Sequence, residues 1–190
     1  MTLIRTDIQA TVKHSPIEDI DIQEITVWFG NEKFIMYNVY CPPLSKVELS
    51  FKEVTFSKTI VAGDFNAHIP SLGYSDYNPR GHNIEDILNS SNLCLLQDST
   101  SEPTLFHRRH GTTSRPDLTM ISSDIVEKSS VEVLEDIGSD HRPNFITVTR
   151  QQHGNSNQKG NAYGTSEKQI GNFIRSSWTV NLRKYQQICL

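Results

Sequence analysis

The stretch that decides the fold is Ile60-Val61-Ala62-Gly63-Asp64-Phe65-Asn66-Ala67-His68. A short apolar run that ends in Gly-Asp-x-Asn is typical of a buried β-strand. Such a strand presents a carboxylate and a carboxamide at its C-terminal end, where α/β sheets carry their chemistry. If the strand continues through Phe65, then Asp64 and Asn66 point the same way and Phe65 points into the core. The alternative, that both polar residues only cap a turn, stays open at this point.

The composition fits one domain with a short appendage, because the chain has 190 residues and is 36% hydrophobic. Cys41, Cys94 and Cys189 are far apart and form no Cys-x-x-Cys pair, which favours free thiols over disulfides or a zinc site. We expect an intracellular protein, since no segment approaches transmembrane length and no signal peptide is evident. The formal charge of −4 argues against bulk electrostatic coating of nucleic acid. A phosphate partner must therefore meet local cations or a metal.

Strand-forming segments dominate the first 149 residues. Residues 2–5 are a first candidate strand, and residues 20–29 and 34–40 predict a hairpin around a turn at 31–33. Five further strands are predicted at residues 93–96, 104–107, 117–121, 130–134 and 145–148. With helices between some of these strands, the pattern predicts an α/β sandwich with mixed sheets.

Two amphipathic helices are predicted between the strands. In residues 45–57 apolar side chains recur at four- and three-residue steps, at Val47, Phe51 and Val54. Residues 83–89 combine an N-cap at Asn83 and an acidic first turn with an apolar face formed by Ile84, Ile87 and Leu88.

The composition changes at about residue 150. Residues 150–169 are rich in Gln, Asn, Gly and Ser and predict a disordered polar linker. In residues 170–190 the apolar spacing favours an amphipathic helix, with a fluctuating tail as the open alternative.

Two further motifs carry side chains suited to chemistry. Gly138-Ser139-Asp140-His141-Arg142-Pro143 predicts a tight loop that presents a carboxylate beside an imidazole able to move a proton near neutral pH. Arg115-Pro116-Asp117 opens a predicted strand, and its carboxylate could orient a histidine ring. An ordinary solvated turn and a surface Arg-Asp pair are the open alternatives.

In this order the motifs resemble those of the endonuclease/exonuclease/phosphatase superfamily, the metal-dependent phosphoesterases that include DNase I. Residues 1–149 are most similar to the apurinic-type endonuclease domains of non-LTR (LINE-type, jockey-like) retrotransposons. Besides the three motifs above, this similarity rests on Asn38-Val39-Tyr40-Cys41-Pro42-Pro43 and Pro103-Thr104-Leu105-Phe106. The resemblance implies a DNase I-like α/β sandwich of two mixed sheets flanked by helices.

The resemblance also implies catalytic roles. Asp64 would orient or deprotonate the attacking water, and Asn66 would hold that water or a phosphate oxygen. Tyr40 would contact the scissile phosphate. His141 would stabilise the pentacovalent phosphorane by donating to a non-bridging oxygen, with Asp117 fixing its ring.

For the metal and the substrate, the resemblance implies a second set of residues. Asp140 and Asp64 would be ligands of Mg²⁺ or Mn²⁺. The expected substrate-binding and supporting residues are Thr104, Ser139, Arg115 and Arg142.

The N-terminal end departs from the family pattern. Family members begin with a strand that carries an asparagine, followed by a Leu-Gln-Glu segment whose glutamate is a principal metal ligand. Neither precedes the predicted hairpin here, and Glu24 aligns with a later position. We therefore expect a domain truncated by its first strand and helix, with weakened metal binding and impaired activity.

Three functions remain open on the sequence. The first is a DNA-nicking endonuclease, which would be nuclear if it serves a retroelement. The second is a catalytically inactive nucleic-acid-binding or interaction remnant of the same fold. The third is a phosphatase acting on inositol lipids or sphingomyelin, which the lack of a membrane-directed segment disfavours.

Overall fold

The computed structural model describes residues 4–15, 17, 19–51, 55–135, 138–149 and 180–181. Within them the chain forms eleven strands: β1 (Gln9–His14), β2 (Asp21–Phe29), β3 (Glu32–Tyr40), β4 (Thr59–Asp64), β5 (Leu93–Leu95), β6 (Leu105–His107), β7 (Thr112–Ser114), β8 (Asp117–Ser122), β9 (Ser129–Val133), β10 (Asn144–Val148) and β11 (Val180–Asn181). One α-helix, α1 (Pro79–Ser90), and two 3-10 turns, Pro70–Leu72 and Val126–Lys128, complete the described elements.

Six strands form one mixed sheet in the order β1-β2-β3-β4-β8-β5. The pair β3 and β4 is parallel, and the other neighbours are antiparallel. From Thr59 to Gly63 every residue of β4 is buried, because both faces of this central strand are covered. A three-stranded antiparallel sheet, β11-β10-β9, and the two-stranded hairpin β6-β7 make up the rest.

Two hydrophobic clusters lie on opposite faces of the six-stranded sheet. Val61 belongs to the cluster that contains Ile84 and Ile87 of α1. Its neighbour Ile60 belongs to the cluster that contains Ile146 of β10. Since side chains alternate along a strand, β4 supplies both clusters and the large sheet forms the middle layer of the sandwich.

The predicted α/β sandwich is confirmed, and most predicted strands are present. The hairpin of β2 and β3 pairs in continuous register from Asp21 with Tyr40 to Phe29 with Glu32. The five later strands also form at or within one residue of their predicted positions, as β5, β6, β8, β9 and β10. Their alternating or continuous apolar patterns are strong local signals, which explains this agreement.

The prediction of a strand at residues 2–5 is wrong where it can be judged. Ile4 and Arg5 lie outside any strand, and the earlier residues lie outside the described part of the chain. The first strand is β1, whose residues are almost all exposed. It was missed because an exposed edge strand joins the sheet through its main chain and needs no apolar alternation.

The prediction of a helix in residues 45–57 is also wrong for residues 45–51 and 55–57, which are not helical. The main chain there bonds to side chains instead. Both main-chain groups of Leu49 bond to the amide of Asn83, and both of Phe56 bond to the amide of Asn92. These bonds occupy main-chain groups that a helix would pair internally, so tertiary hydrogen bonds override the helical spacing.

The helix predicted at residues 83–89 is confirmed as part of α1, but it begins earlier. Its N-cap is Asn78, which accepts from the main-chain N–H of Gly81 at 2.7 Å, and Pro79 occupies the first turn. Asn83 is therefore not the cap and bonds to Leu49 instead. Asn at the N-cap followed by Pro is a common signal for the start of a helix. It was missed because the prediction followed the apolar face, which begins only at Ile84.

The proposed linker at residues 150–169 lies outside the described residues, as does most of the helix expected at residues 170–190. The two residues described there, Val180 and Asn181, form β11 beside Ile146 and Phe145 rather than a helical turn. Among the helices that the structure describes, none has the length and apolar character needed to cross a membrane.

Gly63 in β4 allows the main chain of β3 to approach closely. A Cβ atom at this position would lie 1.8 Å from the carbonyl oxygen of Val39, and φ is +154°. We expect Gly63→Ala to lower the free energy of unfolding by about 3 kcal/mol, since a central strand would have to shift. Urea denaturation measures this change.

A matched control is Gly111→Ala, where a Cβ atom would meet nothing within 4 Å and only the positive φ of +63° is unfavourable. Its expected cost is about 1 kcal/mol. Equal costs at both positions would show that the contact with Val39 does not constrain β4.

Candidate active site

Three polar side chains lie in one row across three adjacent strands. β3 ends at Tyr40, β4 ends at Asp64, and β8 begins at Asp117. Asp64 pairs in register with Tyr40 on one side and with Asp117 on the other. Because paired residues on neighbouring strands project to the same face, this register directs all three side chains toward the second sheet.

His141 reaches the same place from the loop between β9 and β10. Its Nδ1 lies 2.9 Å from Oδ2 of Asp117, and the two side chains are 13% and 11% exposed. Ligand atoms of Asp64, Asp117 and His141 all lie within 4.8 Å of one another. The contact between Asp117 and His141 is the one that the ring-orienting role of Asp117 requires, and the role itself stays a prediction.

The loop that carries His141 is fastened to β6 and its preceding residue. Asp140 O accepts from the N–H of Phe106 at 2.9 Å, and the N–H of Arg142 donates to Thr104 O at 2.7 Å. Within the loop, the N–H of His141 donates to Oγ of Ser139 at 3.3 Å. Strand-like bonds on both sides of His141 therefore fix its main chain.

The Asp64 carboxyl is difficult to ionise in this position. Burial and the nearby negative charge of Asp117 raise its pKa to about 7, while His141 and hydrogen bonds from Asn66 act in the opposite direction. A carboxyl that exchanges its proton near neutral pH is suited to act as a general base.

For His141 the electrostatic balance favours the imidazolium form. Burial lowers its pKa, but the hydrogen bond to Asp117 and the negative charges of Asp117, Asp64 and Asp140 outweigh that effect, so the pKa is raised. A protonated ring held through Nδ1 presents Nε2–H as a donor.

Asn66 lies next to this cluster but not in the extended conformation that we expected. Its φ is +48°, so the strand ends at Asp64 and the two side chains do not follow strand alternation. The main-chain N–H of Asn66 donates to Oδ1 of Asp64 at 3.1 Å, and its Nδ2 donates to Cys41 O at 3.0 Å. Phe65 between them is fully buried, as expected. Asn tolerates the left-handed region better than most residues, which accounts for its place in this turn.

The other predicted residues occupy different surroundings. Tyr40 is 39% exposed at the end of β3, whereas Thr104 is 1% exposed and accepts from the N–H of Asp117 at 3.4 Å. Oγ of Ser139 donates to Asp140 at 3.4 Å. Asp140 does not belong to the three-residue group of closely spaced ligand atoms. Thr104 and Ser139 thus bond to residues of the site or its loop, Tyr40 faces solvent, and the roles expected of all three stay predictions.

Two arginines expected to bind substrate are engaged with the protein itself. The guanidinium of Arg115 donates to Ser101 O at 2.7 Å and to Leu72 O at 3.1 Å. Arg142 donates to Leu134 O at 2.9 Å and pairs with Glu102 at 2.6 Å. Both stabilise loops around the site, and their role in binding phosphate stays a prediction.

Sequence reasoning missed three amide side chains that surround the cluster. Asn78 bonds to the main chain of Asn66 at 2.8 Å, and Gln97 and Asn144 each bond to Asp117 O at 3.5 Å. The Asn78-Pro79 pair was recognisable as a helix start. Nothing local marks Gln97 or Asn144, because their partners are 20 and 27 residues away.

The donor set fits a divalent cation. Two carboxylates converge beside the His141 ring, and the raised pKa of Asp64 has the negative charge of Asp117 among its causes. A bound cation would remove that repulsion. Because Asp117 already bonds His141, Asp64 is the carboxylate of this group that is available to a cation.

The raised pKa of Asp64 predicts a pH-dependent stability for the metal-free protein. The unfolded carboxyl loses its proton near its ordinary pKa of 3.8 and the folded one near 7, so the unfolded state binds fewer protons between these values. Stability should therefore fall as pH rises through this window. We expect Asp64→Asn, which cannot ionise, to show a smaller fall in Tm between about pH 4.5 and 7.5 in EDTA.

The control is Asp86→Asn, which changes an exposed carboxylate on α1 and should leave the pH dependence of Tm unchanged. An Asp64→Asn protein with the same decline in Tm as the native chain would contradict a raised pKa at Asp64.

A family of known proteins matches the part of the chain that carries the site. The family described as "Endonuclease-reverse transcriptase" matches residues 34–145, which include Tyr40, Asp64, Asp117 and His141. No curated protein matches the chain significantly.

A solved structure shares the fold. The endonuclease domain of TRAS1, a telomere-specific non-LTR retrotransposon, is 21% identical with a TM-score of 0.60, and the match covers 78% of this chain and 71% of that one. D. rerio TDP2 complexed with a single-strand DNA product is 12% identical with a TM-score of 0.40, covering 73% of this chain and 65% of that one. The chain therefore belongs to the endonuclease-reverse transcriptase family and has the DNase I-like α/β fold of non-LTR retrotransposon endonuclease domains.

Proposed function

We propose that this protein is a metal-dependent endonuclease that nicks DNA by hydrolysing a phosphodiester bond. The observation that carries the proposal is the convergence of Asp64, Asp117 and His141 within 4.8 Å at the carboxyl end of β4. These groups can take a proton from water and neutralise charge on a phosphate, which are the two requirements of phosphodiester hydrolysis. In a retroelement context the protein would act in the nucleus.

In the proposed reaction Asp64 acts on the water. In the metal-free protein the pKa of Asp64 is raised to about 7, and a cation bound beside it would favour the ionised carboxylate, the form that accepts a proton from water. The water oxygen bonds to phosphorus, the bond from phosphorus to the leaving sugar oxygen breaks, and that oxygen takes a proton from solvent. Asn66 Oδ1 accepts no hydrogen bond within the described part of the chain, so it is free to position the water or a phosphate oxygen.

His141 would stabilise the transition state. Its Nδ1–H donates to Asp117, which leaves Nε2–H to donate to a non-bridging oxygen of the phosphate. The raised pKa keeps the ring protonated over a wider pH range, so the donated bond is charge-assisted. Exposed Tyr40, one strand away, would contact the same phosphate.

Asp64 is the residue that would hold Mg²⁺ or Mn²⁺, with Asp140 as the second expected ligand. When bound, the ion would supply charge neutralisation at the phosphate. We propose that its affinity is low, since one of the two carboxylates in the cluster is engaged with His141. An alternative therefore has structural support, namely a DNA-binding domain of the same fold that does not cleave.

DNA is the proposed partner, and the β6-β7 hairpin is its proposed contact. This hairpin leaves the site at Thr104, and its turn carries exposed Arg108 and Arg109. Between the hairpin and the His141 loop lies a cavity of about 160 Å³ lined by Pro103, Leu105, Phe106, Thr113, Ser139 and Arg142. Local cations beside a partly apolar cleft suit a nucleic-acid strand even though the chain is acidic overall.

The first test is conversion of supercoiled plasmid to open circles. We expect nicking that requires Mg²⁺ or Mn²⁺ and is abolished by EDTA. Asp64→Asn and His141→Ala should each lose about 100-fold or more in rate, because each removes a proton-transfer or charge-stabilising group.

Matched controls are Asp86→Asn on α1 and His14→Ala on β1, whose side chains are exposed outside the cluster. Nicking that survives both site substitutions, or that is indifferent to EDTA, would refute the proposed mechanism. DNA binding that is indifferent to metal, without nicking, would favour the non-cleaving alternative.

A salt titration tests the proposed DNA contact. Arg109→Ala should weaken DNA binding and reduce the slope of log K against log salt by about 1, as expected for one lost phosphate contact. Lys33→Ala is the control, because Lys33 is exposed at the opposite end of β3 from Tyr40. Equal slopes for Arg109→Ala and the native chain would place the DNA elsewhere.

A further inference from the structure

We propose that Gln97 and Asn144 are positioning residues whose amides hold the main chain of Asp117 at the separation from which its carboxylate reaches His141. This inference rests on the proposed function and concerns how its site is assembled. Neither residue belongs to the set of side chains expected to touch water, metal or phosphate.

The main chain of Asp117 bonds to side chains on the side of β8 where β5 no longer pairs with it. Main-chain pairing between β5 and β8 ends with the bond from the N–H of Leu96 to Thr119 O at 3.0 Å, short of Asp117. In place of a strand, Asp117 O accepts from Nε2 of Gln97 and from Nδ2 of Asn144, each at 3.5 Å. The N–H of Asp117 donates to Oγ1 of Thr104 at 3.4 Å.

Gln97 continues the β5 ladder with its side chain. Its Oε1 accepts from the N–H of Thr119 at 2.9 Å, and its Nε2 donates to Oγ1 of Thr119 at 3.3 Å as well as to Asp117 O. The side chain is buried, with 5% of the residue exposed. A buried amide that satisfies two residues of β8 fixes where that strand begins.

Asn144 joins the chain segment of His141 to the strand of Asp117. It is the first residue of β10, three positions after His141, and is 1% exposed. Its Nδ2 donates to Asp117 O, whereas its Oδ1 is buried with no hydrogen-bond partner among the described residues. An unpaired buried acceptor is unfavourable, so this amide is a poor choice for stabilising a core. Its bond does link β10 to β8, two strands of different sheets, next to the bond between His141 and Asp117.

The chain offers a matched comparison at Asn38. This residue on β3 is fully buried, and within the described part of the chain both Oδ1 and Nδ2 lack a hydrogen-bond partner. It lies on the same face of the large sheet as Asp64 but bonds to nothing in the site. Asn38→Leu and Asn144→Leu therefore make the same chemical change, and only the second removes a bond to Asp117.

The experiment compares Asn144→Leu, Gln97→Met and Asn38→Leu in the full chain. We measure Tm, the ring ¹⁵N chemical shifts of His141 at one fixed pH, and kcat and KM for plasmid nicking. Asn144→Leu and Gln97→Met should change the His141 shifts and lower kcat by about 10- to 100-fold, since a small misplacement of the pair disturbs its alignment. KM should stay within about two-fold, and Tm of Asn144→Leu should hold or rise.

Asn38→Leu should hold or raise Tm and leave both the His141 shifts and kcat unchanged. Unchanged shifts and kcat in a folded Asn144→Leu would overturn the proposal. So would loss of folding in both Asn144→Leu and Gln97→Met, which would assign these amides a purely structural role. If the native chain does not nick DNA, the proposed function fails, while the His141 shifts still decide whether the two amides position the pair.

Discussion

The register of β4 between β3 and β8 is the constraint on which the rest of the structure depends. It sets Asp64 beside Tyr40 on one strand and Asp117 on the other. A slip of one residue would turn the Asp64 carboxylate to the opposite face, among the apolar side chains that pack on α1. The close approach of Gly63 to the carbonyl of Val39 resists that slip, since only glycine fits there. Backbone sterics thus determine where the carboxylate lies.

That register also brings ionisable side chains together in a largely buried position. Asp64 and Asp117 are brought together and His141 is added from the other sheet, so each ionisation state depends on the neighbouring groups. Such an arrangement costs stability, because one carboxyl is kept partly protonated near neutral pH. Clusters of this kind are typical of sites for proton transfer or ion binding, where the shifted pKa values that make groups reactive also lower local stability.

Amide side chains replace regular secondary structure in several places around the site. Asn83 bonds to the main chain of Leu49 and Asn92 to that of Phe56, both of which lie between β3 and β4, and Asn78 links α1 to Asn66. Gln97 likewise bonds to the main chain of Thr119 near the beginning of β8. A side-chain amide carries a donor and an acceptor at one end, so it can match the two groups of a peptide unit where no strand is available. The loops near the site are ordered by these bonds rather than by helices.

The sequence by itself determined the central strand, the hairpin of β2 and β3, most later strands and α1, because these depend on periodicities within a few residues. It also determined which residue types could do chemistry, and the resemblance that the family match confirms. Only the tertiary structure decided that residues 45–51 are not helical, that Asn66 turns into the left-handed region, and that β1 exists. It alone set the 2.9 Å contact between His141 and Asp117, which are 24 residues apart. The reason is physical: local patterns follow from side-chain spacing, whereas hydrogen bonds and pKa values depend on groups that meet only when the sheets pack together.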